Sequence, residues 1–251
     1  MSAPLKARNF DKLFSWFRNY QREKDIVGQS INYFRPESTT IAELGSGSGN
    51  LSLLLNDLGL KVIGLERDEE MLTLSKIKTA RLGKRIKFIQ KNLLDGYWEY
   101  KPVDVAVASF SLIFNFFPRE NLGQFLRTAY SLLKTNGLLI LNGFCKQTLR
   151  KDFHNGTFYK YGINPWKGNS KVTYVRVIYN RELVTLNFYH QLDCMPKPII
   201  TTHVLRPYSL DELKASTKSF GFRFLNAFAY PQSGAYIAGE SDEFYAVFAH
   251  E

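Results

Sequence analysis

The feature that most restricts this chain is a strict alternation of β-type and helical segments, opened by a glycine-rich turn. Residues 39–44 form a short apolar, β-branched run that meets Glu43-Leu44-Gly45-Ser46-Gly47-Ser48-Gly49. Residues 50–58 read as helix, 61–66 as strand, 69–82 as helix, 86–90 and 103–109 as strands, 119–134 as helix and 138–142 as a fifth strand. Asn136-Gly137 stops the last of these helices. Strands that alternate with helices pair in parallel through right-handed crossovers, so the sheet must be covered on both faces.

The alternation ends near residue 145. Three strand-like runs follow, at 172–179, 183–191 and 199–206, with Asn180-Arg181-Glu182 as a tight connection between the first two. This predicts an antiparallel insertion. Ser209 and Glu212 form a capping-box pattern and Gly221 closes the helix they open. Residues 222–230 and 243–249 are final strands, expected as an antiparallel hairpin at the sheet edge. Upstream, Phe10, Leu13, Phe14 and Phe17 recur at helical spacing and Arg35-Pro36-Glu37-Ser38 breaks the pattern, so residues 9–34 are predicted helical. The expected architecture is α/β: a doubly wound, Rossmann-like, mostly parallel seven-stranded sheet with an antiparallel edge hairpin and an antiparallel β insertion after strand five. The division is a helical cap at 1–38, a core at 39–144 and 207–251, and an inserted lid at 145–206.

The turn after the first strand carries the chemistry. Glycines there let the backbone bend sharply and approach a ligand closely. Glu66 ends the second strand, where a carboxylate can accept both hydroxyls of a ribose. The spacing is G-x-G-x-G, unlike the G-x-G-x-x-G of dinucleotide sites, and no Gly-Lys-Ser/Thr follows, which excludes a P-loop. Glu43 stands two residues before the first glycine. It would repel a pyrophosphate at the helix N-terminus and attract the ammonium of an amino-acid tail.

Together with VIGLERDEEML, VDVAVASF and LLKTNGLLILNGF, the run TTIAELGSGSG makes residues 39–143 resemble the core of the class I S-adenosylmethionine-dependent methyltransferases. The resemblance implies S-adenosylmethionine as cofactor. It implies that Gly45, Ser46, Gly47 and Gly49 contact its methionine half, with Glu43 near the amino group. It places Glu66 on the ribose, Arg67 beside the adenine, the Leu93 backbone N–H on the ring, and Ser109 where the family's backbone meets the cofactor amino group. Asn92 departs from the family, which often has an acid there for the adenine amine; an Asn oxygen can accept the same bond. Asn92 also reads as a simple turn residue.

Methyl transfer needs alignment and desolvation first, and a base only for some acceptors. The methyl should emerge at the carboxyl ends of strands four and five. Ser109-Phe110-Ser111 and Asn115 therefore become candidates, Asn115 to orient an acceptor or bind the methionine tail. The insertion carries His154, Tyr159, Tyr161, Trp166, Tyr174, Tyr189, His190, His203 and Arg206, suited to a pocket wall. Strand alternation puts Val184, Leu186, Phe188 and His190 on one face, expected to pack inward. His190 then either lines the pocket or sits satisfied in the core. His203 is a candidate base. Trp16 and Tyr20 belong to the capping helix, and Tyr20 is a candidate cofactor or substrate contact.

The 251 residues are 45% hydrophobic and 15% aromatic, enough for a large core with aromatics to spare. No run of about 20 apolar residues is present, so no membrane helix is expected. Two cysteines, Cys145 and Cys194, and four histidines make neither a disulfide framework nor a zinc pattern, which points to the cytoplasm and no metal. The formal charge is +10. Its densest cluster, Lys76, Lys78, Arg81, Lys84, Arg85 and Lys87, falls at the sheet end opposite the expected cofactor, with only Lys91 at the other end. The expectation is therefore transfer to N or O of a small molecule, with an insertion and C-terminal hairpin similar to those of amino-sugar and glycine N-methyltransferases. The rivals are an enzyme of RNA or protein, and a cofactor-binding protein without transfer activity.

Overall fold

The computed structural model describes residue 11 and residues 18–164, 171–192, 197–230, 234–238 and 240–251. Phe10, Leu13, Phe14, Trp16, Phe17 and Trp166 lie outside the described residues. Helix α1 (Tyr20–Phe34) starts where Asn19 accepts a hydrogen bond from the Arg22 amide, and its buried face is Ile26, Val27, Ser30 and Ile31. The helix expected from residue 9 is thus interrupted: Arg18 and Asn19 are not helical. The Asn19 side chain supplies the first-turn amide with a partner, which fixes the boundary that the apolar periodicity ran across.

The core follows as β1 (Thr40–Leu44), α2 (Asn50–Asn56), β2 (Lys61–Glu66), α3 (Glu69–Arg81), β3 (Lys87–Gln90), β4 (Val103–Ala108), a 3₁₀ turn (Leu112–Asn115), α4 (Arg119–Leu132) and β5 (Leu133–Phe144). A short helix α5 (Lys146–Asp152) then leads into β6 (Phe158–Asn164), β7 (Lys171–Asn180), β8 (Leu183–Leu192) and β9 (Ile199–Leu205). The chain returns through α6 (Leu210–Lys218), β10 (Phe222–Tyr230) and β11 (Glu243–His250). The seven-stranded sheet has the order β10-β11-β5-β4-β1-β2-β3, and the second sheet the order β6-β7-β8-β9. The first five strands are parallel, and β11 is antiparallel to both β5 and β10. The final pair is therefore a hairpin whose second strand lies inside the sheet, with β10 alone at the edge.

Alternation along the strands divides the core in two. Ala42, Leu44, Ala106, Ala108, Leu139 and Leu141 pack on one face with Phe125 and Leu126 of α4. Ile41, Val105, Val107 and Ile140 pack on the other with Ile26 and Val27 of α1 and Leu51 and Leu55 of α2. Each large aliphatic side chain so buried contributes about 1.5–3 kcal/mol. Asp104, buried at the amino end of β4, accepts the Thr39 and Thr40 amides at 3.0 Å and the Lys134 ammonium at 2.8 Å. That network locks the end of the sheet remote from the glycine turn.

The insertion holds one strand more than the pattern of apolar residues suggested. β6 is irregular, with a register shift between Lys160 and Gly162, so it lacks clean alternation. The insertion has its own apolar layer of Val175, Val177, Val184, Phe188 and Ile199. It is fastened to the core by a bond from the Arg206 amide to the Phe114 carbonyl, 2.8 Å, and from the Tyr208 hydroxyl to the Phe116 carbonyl, 2.6 Å.

Candidate active site

The glycine turn requires its glycines. Gly45, Gly47 and Gly49 have φ of +69°, +52° and +80°, a region L side chains rarely adopt. A Cβ on Gly45 would stand 2.7 Å from Leu112, whereas one on Gly47 would meet nothing within 4 Å. The Gly47 backbone is thus open to a ligand. The Ser46 amide bonds the Leu65 carbonyl at 2.8 Å and ties the turn to β2. Glu66 closes the other side: one carboxylate oxygen accepts the Gly47 amide at 2.9 Å, the other accepts the Arg67 and Asp68 amides at 2.9 and 3.0 Å.

Glu43 is buried behind the turn and accepts a hydrogen bond from the Ser52 hydroxyl. Burial pushes its carboxyl up to about 8; Ser52 opposes this, and the nearby Glu23 and Glu66 add to it. Past β3, Leu93 is buried, while Asn92 is exposed and its side-chain oxygen accepts the Leu94 amide at 3.2 Å. The Asn92 side chain is thus engaged in a local turn, and the Arg67 side chain is exposed.

At the end of β4, Ser109 donates to Glu23 and lies 2.9 Å from the Tyr245 hydroxyl. Glu23, on α1, is fully buried. It accepts the Arg18 Nε at 2.7 Å, and Arg18 also reaches Glu243 at 3.3 Å. Burial alone would lower the basicity of Arg18, but Glu23 and Glu243 raise it instead. The guanidinium lies over the Phe110 and Tyr230 rings, 4.8 and 5.1 Å from their centroids. Phe110 and Ser111 are both left-handed, at φ +54° and +51°. Such backbone costs on the order of 1–3 kcal/mol per residue and concentrates at functional sites. Here it turns the Ser111 amide onto the Asn142 side-chain oxygen, 2.8 Å away.

Beside this network is a cavity of about 330 Å³ between the carboxyl edge of the main sheet and the inner face of the insertion. Phe110, Ser111, Asn115, Phe144 and Cys145 line it from the core. Val175, Val177, Leu186, Phe188, His203 and Leu205 line it from the insertion. Among the described residues, Arg18, Asp152, Asp242 and Glu243 are its charged groups.

The residues expected from sequence divide accordingly. Glu43, Gly45, Ser46, Gly47, Gly49 and Glu66 gather at the turn, and Ser109 stands at the end of the neighbouring strand. Asn115 and His203 line the cavity, with the His203 ring 5.8 Å edge-on from Phe188. His190 is not part of that wall. It is buried in the insertion between the Thr173 and Thr201 hydroxyls, at 3.1 and 3.5 Å, and burial pushes its imidazole down to about 4, with His203 adding to the shift. The structure places it as the satisfied core histidine of the two readings, not as a pocket base. Tyr20 packs on the core beside α1 and α2, away from the cavity wall, and burial pushes its hydroxyl up to about 12. Lys78 departs from the expected remote cluster: it reaches back to Asp11 and Asn50, both at 2.6 Å, at the start of α2. Arg18, Glu23, Asp152, Asp242 and Glu243 were missed. The one sequence signal was a glutamate, Glu23, one turn before the apolar residues Ile26 and Val27.

The turn and its acids fit a cationic nucleoside better than a phosphate. Three carboxylates, Glu23, Glu43 and Glu66, converge on it closely enough that Glu43 feels both of the others. A Rossmann-like turn surrounded by acids in this way favours a cationic ligand over an anionic one. Comparisons carry this further. Residues 41–137 match the family model described as a methyltransferase domain. The chain is 23% identical to a carboxy-S-adenosyl-L-methionine synthase of Campylobacter lari, covering 83% of this chain and 80% of that protein. It is 23% identical to the putative methyltransferase YqeM of Bacillus subtilis, over 75% of each. Among solved structures, an S-adenosylmethionine-dependent methyltransferase from Clostridium acetobutylicum superposes with a TM-score of 0.82 at 14% identity, over 98% of both chains. The amino pentose methyltransferase CalS10 of Micromonospora echinaspora, solved with S-adenosylmethionine bound, gives 0.75 at 15% identity, over 99% of this chain and 95% of that one. Residues 41–137 thus match a methyltransferase domain, and the chain has the fold of S-adenosylmethionine-dependent methyltransferases.

Among the described residues no helix is long and apolar enough to cross a membrane, and no cluster of metal-binding side chains occurs.

Proposed function

We propose that this methyltransferase acts on N or O of a small molecule held in the cavity between the main sheet and the insertion. The observation that carries the reading is the cavity itself. Its walls are mostly apolar, it is half-enclosed by the second sheet, and it adjoins the end of β4 where the cofactor's amino-acid end is expected. A volume of about 330 Å³ suits a compact metabolite. Three similar solved structures are described as acting on amino pentose, sugar nitrogen and glycopeptide nitrogen.

Gly45, Ser46, Gly47 and Gly49 would hold the methionine part of S-adenosylmethionine, Glu43 its ammonium, Glu66 its ribose, and the segment of Asn92 and Leu93 its adenine. Arg67 would flank the ring with its stem, and Ser109 would close the site under the methionine tail. When bound, the cofactor supplies an already activated methyl on a sulfonium. The chain's contribution is then alignment and exclusion of water. Phe110 and Ser111, held left-handed by Asn142, shape the floor. Phe188 and Leu186 of the insertion keep water out, so residues 145–206 serve as lid. Asn115 at the cavity mouth would orient the acceptor, and His203, on the same wall, would offer it a ring nitrogen as hydrogen-bond partner. Residues 1–38 would cap the cofactor through α1, with Tyr20 supporting the glycine turn. The compartment that suits this chemistry is the cytoplasm.

Within the basic cluster, Lys78 and Lys84 are engaged with Asp11 and Asp57, which takes two of its six cations away from docking an RNA or protein substrate. The test is single-turnover transfer of labelled methyl from S-adenosylmethionine into separate pools of small metabolites, RNA and protein. Label in the metabolite pool is expected. Label confined to RNA or protein would refute the reading, and no transfer to any pool despite cofactor binding would favour a binding protein.

A further inference from the structure

The charges on the cavity wall single out Glu243. Among the described residues that line it, Asp152, Asp242 and Glu243 stand with one cation, Arg18, which is shared between Glu23 behind the wall and Glu243 on it. The remaining lining is apolar apart from Ser111, Asn115, Cys145 and His203. One guanidinium shared by two carboxylates leaves this part of the wall with one negative charge in excess, from which a neutral or anionic acceptor would gain nothing. A small ammonium would.

Of the three acids, Asp152 and Asp242 are exposed at the rim, whereas Glu243 is set deeper. It is the first residue of β11 and pairs with Phe144 at the end of β5. One of its oxygens is fixed by Arg18 at 3.3 Å and by the Asn142 amide nitrogen at 3.3 Å. Asn142 is itself oriented by the Ser111 amide and the Phe244 carbonyl. The carboxylate is therefore held rigidly at the cavity wall, through Asn142 and Ser111, on the strand end where the methyl is expected to emerge.

We infer that the acceptor is a small primary or secondary amine with an apolar body, and that Glu243 binds its ammonium and takes one N–H proton before transfer. The inference rests on the reading of this cavity as the acceptor site. The proton step is balanced within the pair: the ammonium loses H⁺ and becomes the neutral amine with a free lone pair, and the Glu243 carboxylate becomes the carboxylic acid. Asp242, next in the chain and exposed, returns the proton to water. The groups that face Glu243 agree with this. Burial raises its affinity for a proton and Glu23 adds to that, while Arg18 and Asn142 oppose the rise. Tyr245 lies on the same strand, and His203, Cys145 and Asp152 look into the same cavity. A hydroxyl acceptor, with its far higher pKa, would gain little from a carboxylate base.

The test uses the full chain with saturating adenosylhomocysteine and two probes of equal shape, cyclohexylamine and cyclohexanol, followed by calorimetry. The amine is expected to bind at least 10-fold more tightly than the alcohol. E243Q should abolish most of that advantage and leave cyclohexanol affinity within about 2-fold, a separation that general loss of structure would not produce. The wild-type comparison stands without the variant if E243Q does not fold. Equal binding of both probes would overturn the amine assignment and leave the cavity reading intact. An advantage that survives in E243Q would overturn the role of Glu243. Failure of both probes to bind would overturn this inference and the cavity reading together.

Discussion

Two carboxylates at the glycine turn behave differently, because one is buried and the other meets amides. Glu66 accepts three backbone N–H groups and closes the turn on the side where a ribose would lie. Glu66→Ala should cost about 2 kcal/mol of adenosylhomocysteine binding, roughly 30-fold in Kd, as expected for hydrogen bonds to a charged group. Calorimetry reads this directly, and unchanged affinity would remove Glu66 from the site. Glu43, in contrast, is protonated at neutral pH in the free protein, since burial lifts it to about 8 from an ordinary 4.5. Its folded value lies above its unfolded value. Its share of stability is therefore complete below about 4.5 and is lost as pH rises through 8. A ligand ammonium favours the ionised form. Adenosylhomocysteine should then bind more tightly as pH rises from 6 to 8, with a plateau above, and Glu43→Gln should flatten the profile. A wild-type Kd independent of pH over that range would show that Glu43 does not meet the ammonium.

At the level of elements, the alternation from β1 to β5 was legible because both periodicities are strong and each break carries its own signal. The Ser209–Glu212 capping box is one example; Asn136-Gly137 is a correction, since α4 already ends at Leu132 and Asn136, left-handed at φ +60°, bends the chain within β5. The inward face of β8 was readable from period two alone, and Val184 and Phe188 are buried as expected. What escaped was local conflict. β6 hides behind the shift at Lys160–Gly162, and the start of α1 depends on one Asn side chain. His190 shows a further limit, since period two gives its face but not its partners. It is held neutral, at about 4 against an unfolded 6.5. That depressed histidine contributes stability above pH 6.5 that is lost as pH falls through 4. Melting temperature should therefore drop between pH 6.5 and 4, with a slope of up to about 1.4 kcal/mol per unit from this group. His190→Gln should shrink that slope, as measured by thermal denaturation across the range. A slope unaltered in the variant would mean that other groups set the acid limit.

For the whole molecule, the glycine turn and its acids were legible in the sequence and the cavity wall was not. The turn, Glu43 and Glu66 fall within a single βαβ unit, so spacing alone brings them together. The cavity wall joins Arg18 to Glu243 across 225 positions, and β11 reaches it only because that strand enters the sheet beside β5. No local pattern encodes such a meeting. The same arrangement explains why a strongly basic chain has an acidic centre: three carboxylates converge on the turn while most cations stay outside. The account therefore stands on the class of ligand that this centre accepts. Calorimetry of the intact protein with adenosylhomocysteine and, separately, with NAD tests it most directly. Saturable one-to-one binding of adenosylhomocysteine with no heat from NAD is the predicted result. Saturable binding of NAD with none of adenosylhomocysteine would contradict it.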